Sequence, residues 1–154
     1  MKTVIIIPAR YKSTRFPGKP LTLILGKPMI LWVAELCAEV LPAEFVYIAT
    51  EDLQIKEVVE KAGFNVVMTS NKCLTGTDRI GEAATKIEAD IYVNVQGDEP
   101  LLNPADILEI IETKKMHPNE VITGYSKIGD NEDPESVNIP KVVFNENKQM
   151  VYMS

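Results

Sequence analysis

Four cations, Arg10, Lys12, Arg15 and Lys19, fall within ten residues of the stretch "IPARYKSTRFPGKP" (Ile7 to Pro20), and no carboxylate lies among them. Cations that close repel one another, and a bound anion relieves the repulsion. Arg10, Arg15 and Lys19 offer charge-assisted bonds to phosphate oxygens. Backbone N–H groups between Ala9 and Lys19 add donors, and Gly18 permits close approach. A triphosphate satisfies all of these at once. Lys12 taken alone reads equally well as a solvated surface charge.

A second group is "VNVQGDEP" (Val93 to Pro100), which places Asp98 at the C-terminal end of an apolar run. A carboxylate there can reach Mg²⁺, an ion that takes few protein ligands and keeps water and substrate oxygens around it. An Asp in a strand-ending turn is commonplace by itself, and it is the cationic loop that gives Asp98 a role as metal ligand. Glu99 reads either as its helper or as an exposed neighbour. The third group, "TGTDR" (Thr75 to Arg79), combines hydroxyls, Gly76 and an arginine at a helix start, where free N–H groups favour an anionic or hydroxylated ligand. Alone it is weak, because Thr and Asp are routine N-caps.

Other chemistries find no support. Neither GxGxxG nor GxxxxGK followed by Ser or Thr occurs after the first apolar run, which disfavours a dinucleotide dehydrogenase or a P-loop NTPase. His117 is the sole histidine and precedes Pro118 at a helix end, so a zinc site or a Ser/His/Asp triad has no basis. Met29, Trp32 and Leu36 follow helical spacing and read as core rather than as a ligand box.

The elements that must position these groups alternate between strand and helix. Thr3 to Ile7 is a β-branched run without polar alternation, the mark of a central strand covered on both faces. Helical spacing runs from Met29 to Val40 and from Leu53 to Ala62, the latter closed by Gly63. A shorter helix spans Ile80 to Ile87, and another starts at the Asn103–Pro104 cap pair. Strands are expected at Phe45 to Thr50, Asn65 to Thr69, Asp90 to Gln96, Val121 to Ile128, Lys141 to Phe144 and Met150 to Tyr152, with an exposed loop over Gly129 to Ser136. This rhythm implies an α/β fold: a doubly wound, mostly parallel, Rossmann-like sheet with helices on both faces. In such a sheet ligands bind beyond the carboxyl ends of the strands, where the strand order reverses.

Composition sets the frame. The 154 residues, 45% hydrophobic and 25% charged, suit one globular domain. The net charge of −6 argues against nucleic acid and against a polybasic membrane patch. Met1 to Ala34 nevertheless holds six basic residues and no acidic one, so the remainder carries −12. A small anionic ligand near the N-terminus fits that asymmetry. Two cysteines, Cys37 and Cys73, are too few for a disulfide framework, and the first apolar run is too short for a signal or membrane segment. A cytoplasmic protein is expected.

Taken together, "IPARYKSTRFPGKPL", "GKPMI", "TGTDR", "VNVQGDEP" and "PKVV" occur in the order found in the 3-deoxy-manno-octulosonate (Kdo) cytidylyltransferases, the CMP-Kdo synthetase family, which this chain resembles. Relatives that activate sialic acids differ, with a more glycine-rich first loop and no "QGDEP". The resemblance implies a fold of the nucleotide-diphospho-sugar transferase type. It also implies transfer of a cytidylyl group from CTP to an acidic eight-carbon sugar, with Mg²⁺ and release of pyrophosphate, in lipopolysaccharide biosynthesis. By the same resemblance Ala9, Arg10, Ser13, Arg15, Lys19, Thr77 and Arg79 contact the nucleotide, Gln96 lies near the sugar, Asp98 binds the metal, and Arg10, Lys19 and Asp98 carry the catalysis. The family is homodimeric and continues beyond "MVYMS", so residues 1–154 are expected to form a single nucleotide-binding domain without the C-terminal half. That half supplies a second metal-binding carboxylate and much of the sugar pocket. A fragment and a naturally short relative, a non-catalytic CTP-binding module, and an enzyme for an amino-substituted octulosonate all stay open at this point.

Overall fold

Every residue of the first strand, β1 (Thr3–Pro8), is buried, because its two faces feed two different cores. Ile5 and Ile7 pack on one side with Ile30, Val33, Cys37, Ile55, Val59, Ile107 and Ile111. Val4 and Ile6 pack on the other with Ala49, Ala83 and Ile87. Each buried Ile or Val contributes about 1.5–3 kcal/mol of transfer free energy, so the uninterrupted β-branched run is what a doubly covered strand requires.

The computed structural model describes residues 1–12 and 16–154. After β1 and a single 3-10 turn at Lys19–Leu21, a two-residue antiparallel pair, β2 (Leu23–Ile24) with β3 (Lys27–Pro28), leads into helix α1 (Met29–Ala38). There follow β4 (Val46–Thr50), α2 (Leu53–Lys61), β5 (Asn65–Met68), α3 (Gly76–Ala84), β6 (Ile91–Asn94) and α4 (Pro104–Met116). Side chains cap the starts of α2, α3 and α4, at α4 as the sequence predicts. Asn103 accepts the Ala105 N–H at 3.1 Å before Pro104, and Asp52 accepts the N–H groups of Gln54 and Ile55. Thr75 and Asp78 close a reciprocal capping box at α3. Gly63, at φ +88°, follows the C-cap of α2 in the left-handed conformation that glycine tolerates.

Among the described residues the main sheet has the order β5-β4-β1-β6 and is parallel throughout. The chain steps outward from β1 to β4 and β5, then returns through α3 to pair β6 with the opposite edge of β1. Strand order therefore reverses between β1 and β6. Residues of α1, α2 and α4 share one core, and those of α3 the other, so helices cover both faces. The doubly wound α/β sheet expected from the sequence is the one observed.

Contacts divide the chain into two compact units, Met1–Ile122 and Thr123–Ser154. The second contains an antiparallel hairpin of β7 (Val142–Phe144) and β8 (Met150–Met153), with a register shift at Val143/Phe144 and Lys148 at φ +61° in its turn. Tyr125 lies 4.8 Å from Phe144, ring to ring.

One expectation is corrected: Val121 to Ile128 is not a strand. The segment has strand-like composition, but a strand needs a ladder partner, and this one has none among the described residues. Val121 is 96% exposed, so no burial replaces the missing hydrogen bonds. The neighbouring Gly129 to Ser136 is an exposed set of turns, as expected.

Candidate functional site

The carboxyl ends of β1 and β6 open onto a cleft of about 750 Å³, at the reversal of strand order. Pro8, Ala9 and Arg10 approach it from β1, Lys19 and Pro20 from the 3-10 turn, and Gln96, Gly97 and Asp98 from β6. Thr75, Gly76 and Arg79 enter from the start of α3. The three sequence groups, some 20 to 80 residues apart in the chain, thus meet at one place because parallel strands deliver all their carboxyl ends to the same edge.

Lys19 and Asp98 face each other there. Lys19 Nζ donates to Asp98 Oδ2 at 2.5 Å, with both side chains about half exposed. An ion pair this open contributes little to stability, on the order of 0–1 kcal/mol. Its effect is to place one cation and one carboxylate side by side on an accessible wall. Backbone geometry fixes the approach: Gly18 has φ +70°, and its N–H donates to the Tyr11 carbonyl at 2.8 Å, which closes the base of the cationic loop.

Gly97 has a different reason to be glycine. A Cβ built there would sit 2.8 Å from the Pro8 carbonyl oxygen and 3.2 Å from Ile30 Cδ1. The ends of β1 and β6 therefore close up as they do only because residue 97 has no side chain.

Of the residues singled out from the sequence, Ala9, Arg10, Lys19, Arg79, Gln96 and Asp98 line the cleft. Thr77 does not; the hydroxyl residue that does is Thr75, whose Oγ1 accepts the Asp78 N–H at 3.1 Å. Ser13 and Arg15 lie outside the described residues. Lys12 borders a second cavity of about 460 Å³, which shares Arg10 and Arg79 with the first. Glu99 is exposed and does not line the cleft. His117 caps the exposed end of α4, 3.4 Å from Glu120.

Arg79 is the surprise in placement. It is 3% exposed, its Nη2 lies 2.8 Å from Glu51 Oε2, and its Nη1 donates to Thr69 Oγ1 at 2.5 Å. Glu51 escaped the sequence reading although it carried the signal that singled out Asp98, a carboxylate directly after a strand. Met29, read as core, is buried and also forms part of the cleft wall with Phe16 and Leu74. Apolar spacing cannot distinguish these two situations.

Around α3 the electrostatics are set by hydrogen bonds. The Thr75 hydroxyl, followed by the Thr75 N–H, holds the Asp78 carboxyl below its usual range. Glu82 is brought down to about 2, chiefly by Lys86, then by the Ser70 N–H and the Cys73 thiol. Those contacts pin the loop between β5 and α3 to the helix that borders the cleft.

Comparison with known proteins matches this architecture to a group. The family model described as cytidylyltransferase matches residues 4–154. The chain belongs to the cytidylyltransferase family. An 8-amino-3,8-dideoxy-manno-octulosonate cytidylyltransferase of Shewanella loihica is 43% identical over 162 aligned positions, covering all of this chain and 65% of that protein. A 3-deoxy-manno-octulosonate cytidylyltransferase 2 of Hydrogenovibrio crunogenus is 55% identical over 114 residues, covering 72% of this chain and 46% of that protein. Among solved structures, CMP:2-keto-3-deoxy-manno-octonic acid synthetase complexed with CTP superposes with a TM-score of 0.85 at 39% identity, covering all of this chain and 64% of that one. This cytidylyltransferase chain spans 65% of the length of its relative from Shewanella.

Proposed function

We propose that this chain is the nucleotide-binding portion of a Mg²⁺-dependent Kdo cytidylyltransferase, which converts CTP and Kdo to CMP-Kdo and pyrophosphate. The observation that carries the reading is the Lys19–Asp98 pair across the β1/β6 reversal, in a cleft that Arg10 and Arg79 also line. Similarity to a CMP-Kdo synthetase solved with CTP supports the choice of nucleotide and sugar. In its complete form the enzyme is cytoplasmic and homodimeric, and its product serves lipopolysaccharide assembly.

The residues suit the metal. Asp98 offers a hard carboxylate oxygen, and no cluster of three or more His, Cys, Asp or Glu able to hold an ion occurs among the described residues. Mg²⁺ is commonly bound through one or two carboxylates and completes its shell with phosphate oxygens and water, so Asp98 suits it as one of its ligands. Bound there, the ion would neutralise charge on the phosphates. Arg10 and Lys19 hold phosphate oxygens, the backbone from Ala9 onward supplies N–H donors, and Gln96 faces the sugar. The sugar's anomeric hydroxyl attacks the α-phosphorus as the bond to the β-phosphate breaks. The protein's task is alignment and charge stabilisation, with no covalent enzyme intermediate.

Pyrophosphate release from CTP, Mg²⁺ and Kdo tests this. Release that drops on the order of a hundredfold in Lys19→Ala and Asp98→Asn is the expected result, the size typical of losing one preorganised stabiliser. Unchanged turnover in both variants would overturn the assignment. Turnover by the 154-residue chain alone would defeat the alternative of a non-catalytic CTP-binding module. The relative from Shewanella favours a second reading, an amino-substituted octulosonate as acceptor, and competition between the two sugars separates them.

A further inference from the structure

Glu51 is the first residue after β4, and its carboxylate joins two walls of the larger cleft without lining it, while bordering the adjoining cavity beside Arg79. Its Oε2 is out of contact with solvent and lies 2.8 Å from Arg79 Nη2. Its Oε1 accepts the Tyr11 N–H at 3.3 Å. Tyr11 in turn accepts the Gly18 N–H, the bond that closes the cationic loop. One carboxylate therefore touches the base of the loop that presents Arg10 and Lys19, and also the arginine four residues into α3's capped start.

A buried ion pair is poor value as a stabiliser, since desolvating two charges roughly cancels their attraction, and an apolar pair of the same volume serves as well or better. What it does provide is a guanidinium held in one orientation. The pair lies where fixed orientation has a use: Arg79 is 3% exposed yet lines the cleft of about 750 Å³ and the adjoining cavity of about 460 Å³. Guanidinium carries five N–H donors, more than its contacts with Glu51 and Thr69 consume.

We propose that Glu51 is a positioning residue for nucleotide binding, holding Arg79 as a fixed cation in the cleft wall through the Glu51–Arg79 ion pair. This rests on the nucleotide-cleft reading above. Glu51 acts through Arg79, because a carboxylate in contact with the nucleotide would repel its phosphates.

The test is calorimetric titration of the intact chain with Mg²⁺–CTP, accompanied by thermal melts. Glu51→Gln preserves an acceptor for the Tyr11 N–H and removes the charge. We expect its Kd to rise about tenfold, whereas Glu51→Asp, one methylene shorter, gives a rise of severalfold. Arg79→Met weakens binding at least as much as Glu51→Gln. The double variant Glu51→Gln/Arg79→Met loses no more than about twofold beyond Arg79→Met alone, the non-additivity of a residue acting through its partner. Because Glu51→Gln strands a buried cation, it is the variant most exposed to misfolding; Glu51→Asp and the charge-neutral double variant then decide. A lowered melting temperature with Kd unchanged in Glu51→Gln or Glu51→Asp means a structural role only and overturns the proposal. So do additive losses in the double variant. If wild type fails to bind CTP, or Lys19→Ala binds it as wild type does, the nucleotide-cleft reading itself falls and takes the proposal with it. Binding that is sensitive to Lys19→Ala but indifferent to Glu51 sinks the proposal alone.

Discussion

Lys19 Nζ and Asp98 Oδ2 are 2.5 Å apart, although 79 residues separate them in the chain. In the free protein each satisfies the other. A triphosphate arriving in the cleft offers Lys19 better acceptors and leaves Asp98 as an uncompensated carboxylate among anions, a situation that only a cation resolves.

This relationship has a measurable consequence for metal removal. With EDTA present, Asp98→Asn should bind CTP about fivefold more tightly than wild type, about 1 kcal/mol, because one negative charge is gone from the wall. With Mg²⁺ the order should reverse. Titrations with and without the ion measure both, and Asp98→Asn should change the free energy of unfolding by less than about 1 kcal/mol, as befits an exposed pair.

Gly97→Ala should be costly despite its size. The added Cβ would lie 2.8 Å from the Pro8 carbonyl, so the ends of β1 and β6 must part. A loss of about 1–3 kcal/mol in urea denaturation is expected, together with weaker CTP binding. Gly81→Ala, on α3 with open space around its Cβ position, serves as the control and should be neutral or slightly stabilising.

Glu82 makes stability depend on acid. Its folded-state pKa is about 2, depressed from an ordinary value of 4.5, so its contribution is fully present above 4.5 and is lost as pH falls toward 2. Glu82→Gln should therefore lower the denaturation midpoint at pH 7, and the gap from wild type should narrow across that window. A gap that stays constant with pH would contradict the assignment.

The two thiols should respond differently to the same substitution. Burial pushes Cys37 up to about 12, and the side chain is fully enclosed, so alkylation at pH 8 should follow global unfolding. Cys73 is raised by desolvation and then by its hydrogen bond to Glu82. Glu82→Gln should speed alkylation of Cys73 and, under conditions where the fold persists, leave Cys37 protected. Mass spectrometry of each cysteine-containing peptide reads the two rates separately.

Much of this molecule was legible before any coordinates. The run from Thr3 to Ile7 read as a strand covered on both faces, since it is β-branched throughout and shows no polar alternation. Asn103–Pro104 and Gly63 announced helix ends, because capping is chemistry between near neighbours. The cationic loop and Asp98 stood out by type and by position after apolar runs. The failure at Val121 to Ile128 has the complementary cause: a strand is defined by a partner, and composition does not supply one.

Amino-acid sequence by itself determined which residues carry charge, which elements they follow, and hence that the cationic loop and Asp98 sit at the carboxyl edge of an α/β sheet. Tertiary structure alone decided that Lys19 meets Asp98, that Gly97 must yield space to the Pro8 carbonyl, and that Arg79 is held from behind by Glu51. Those are contacts between side chains tens of residues apart, settled by strand order and by the packing of α3 across the sheet, and neither propensity nor spacing encodes a distance of that kind.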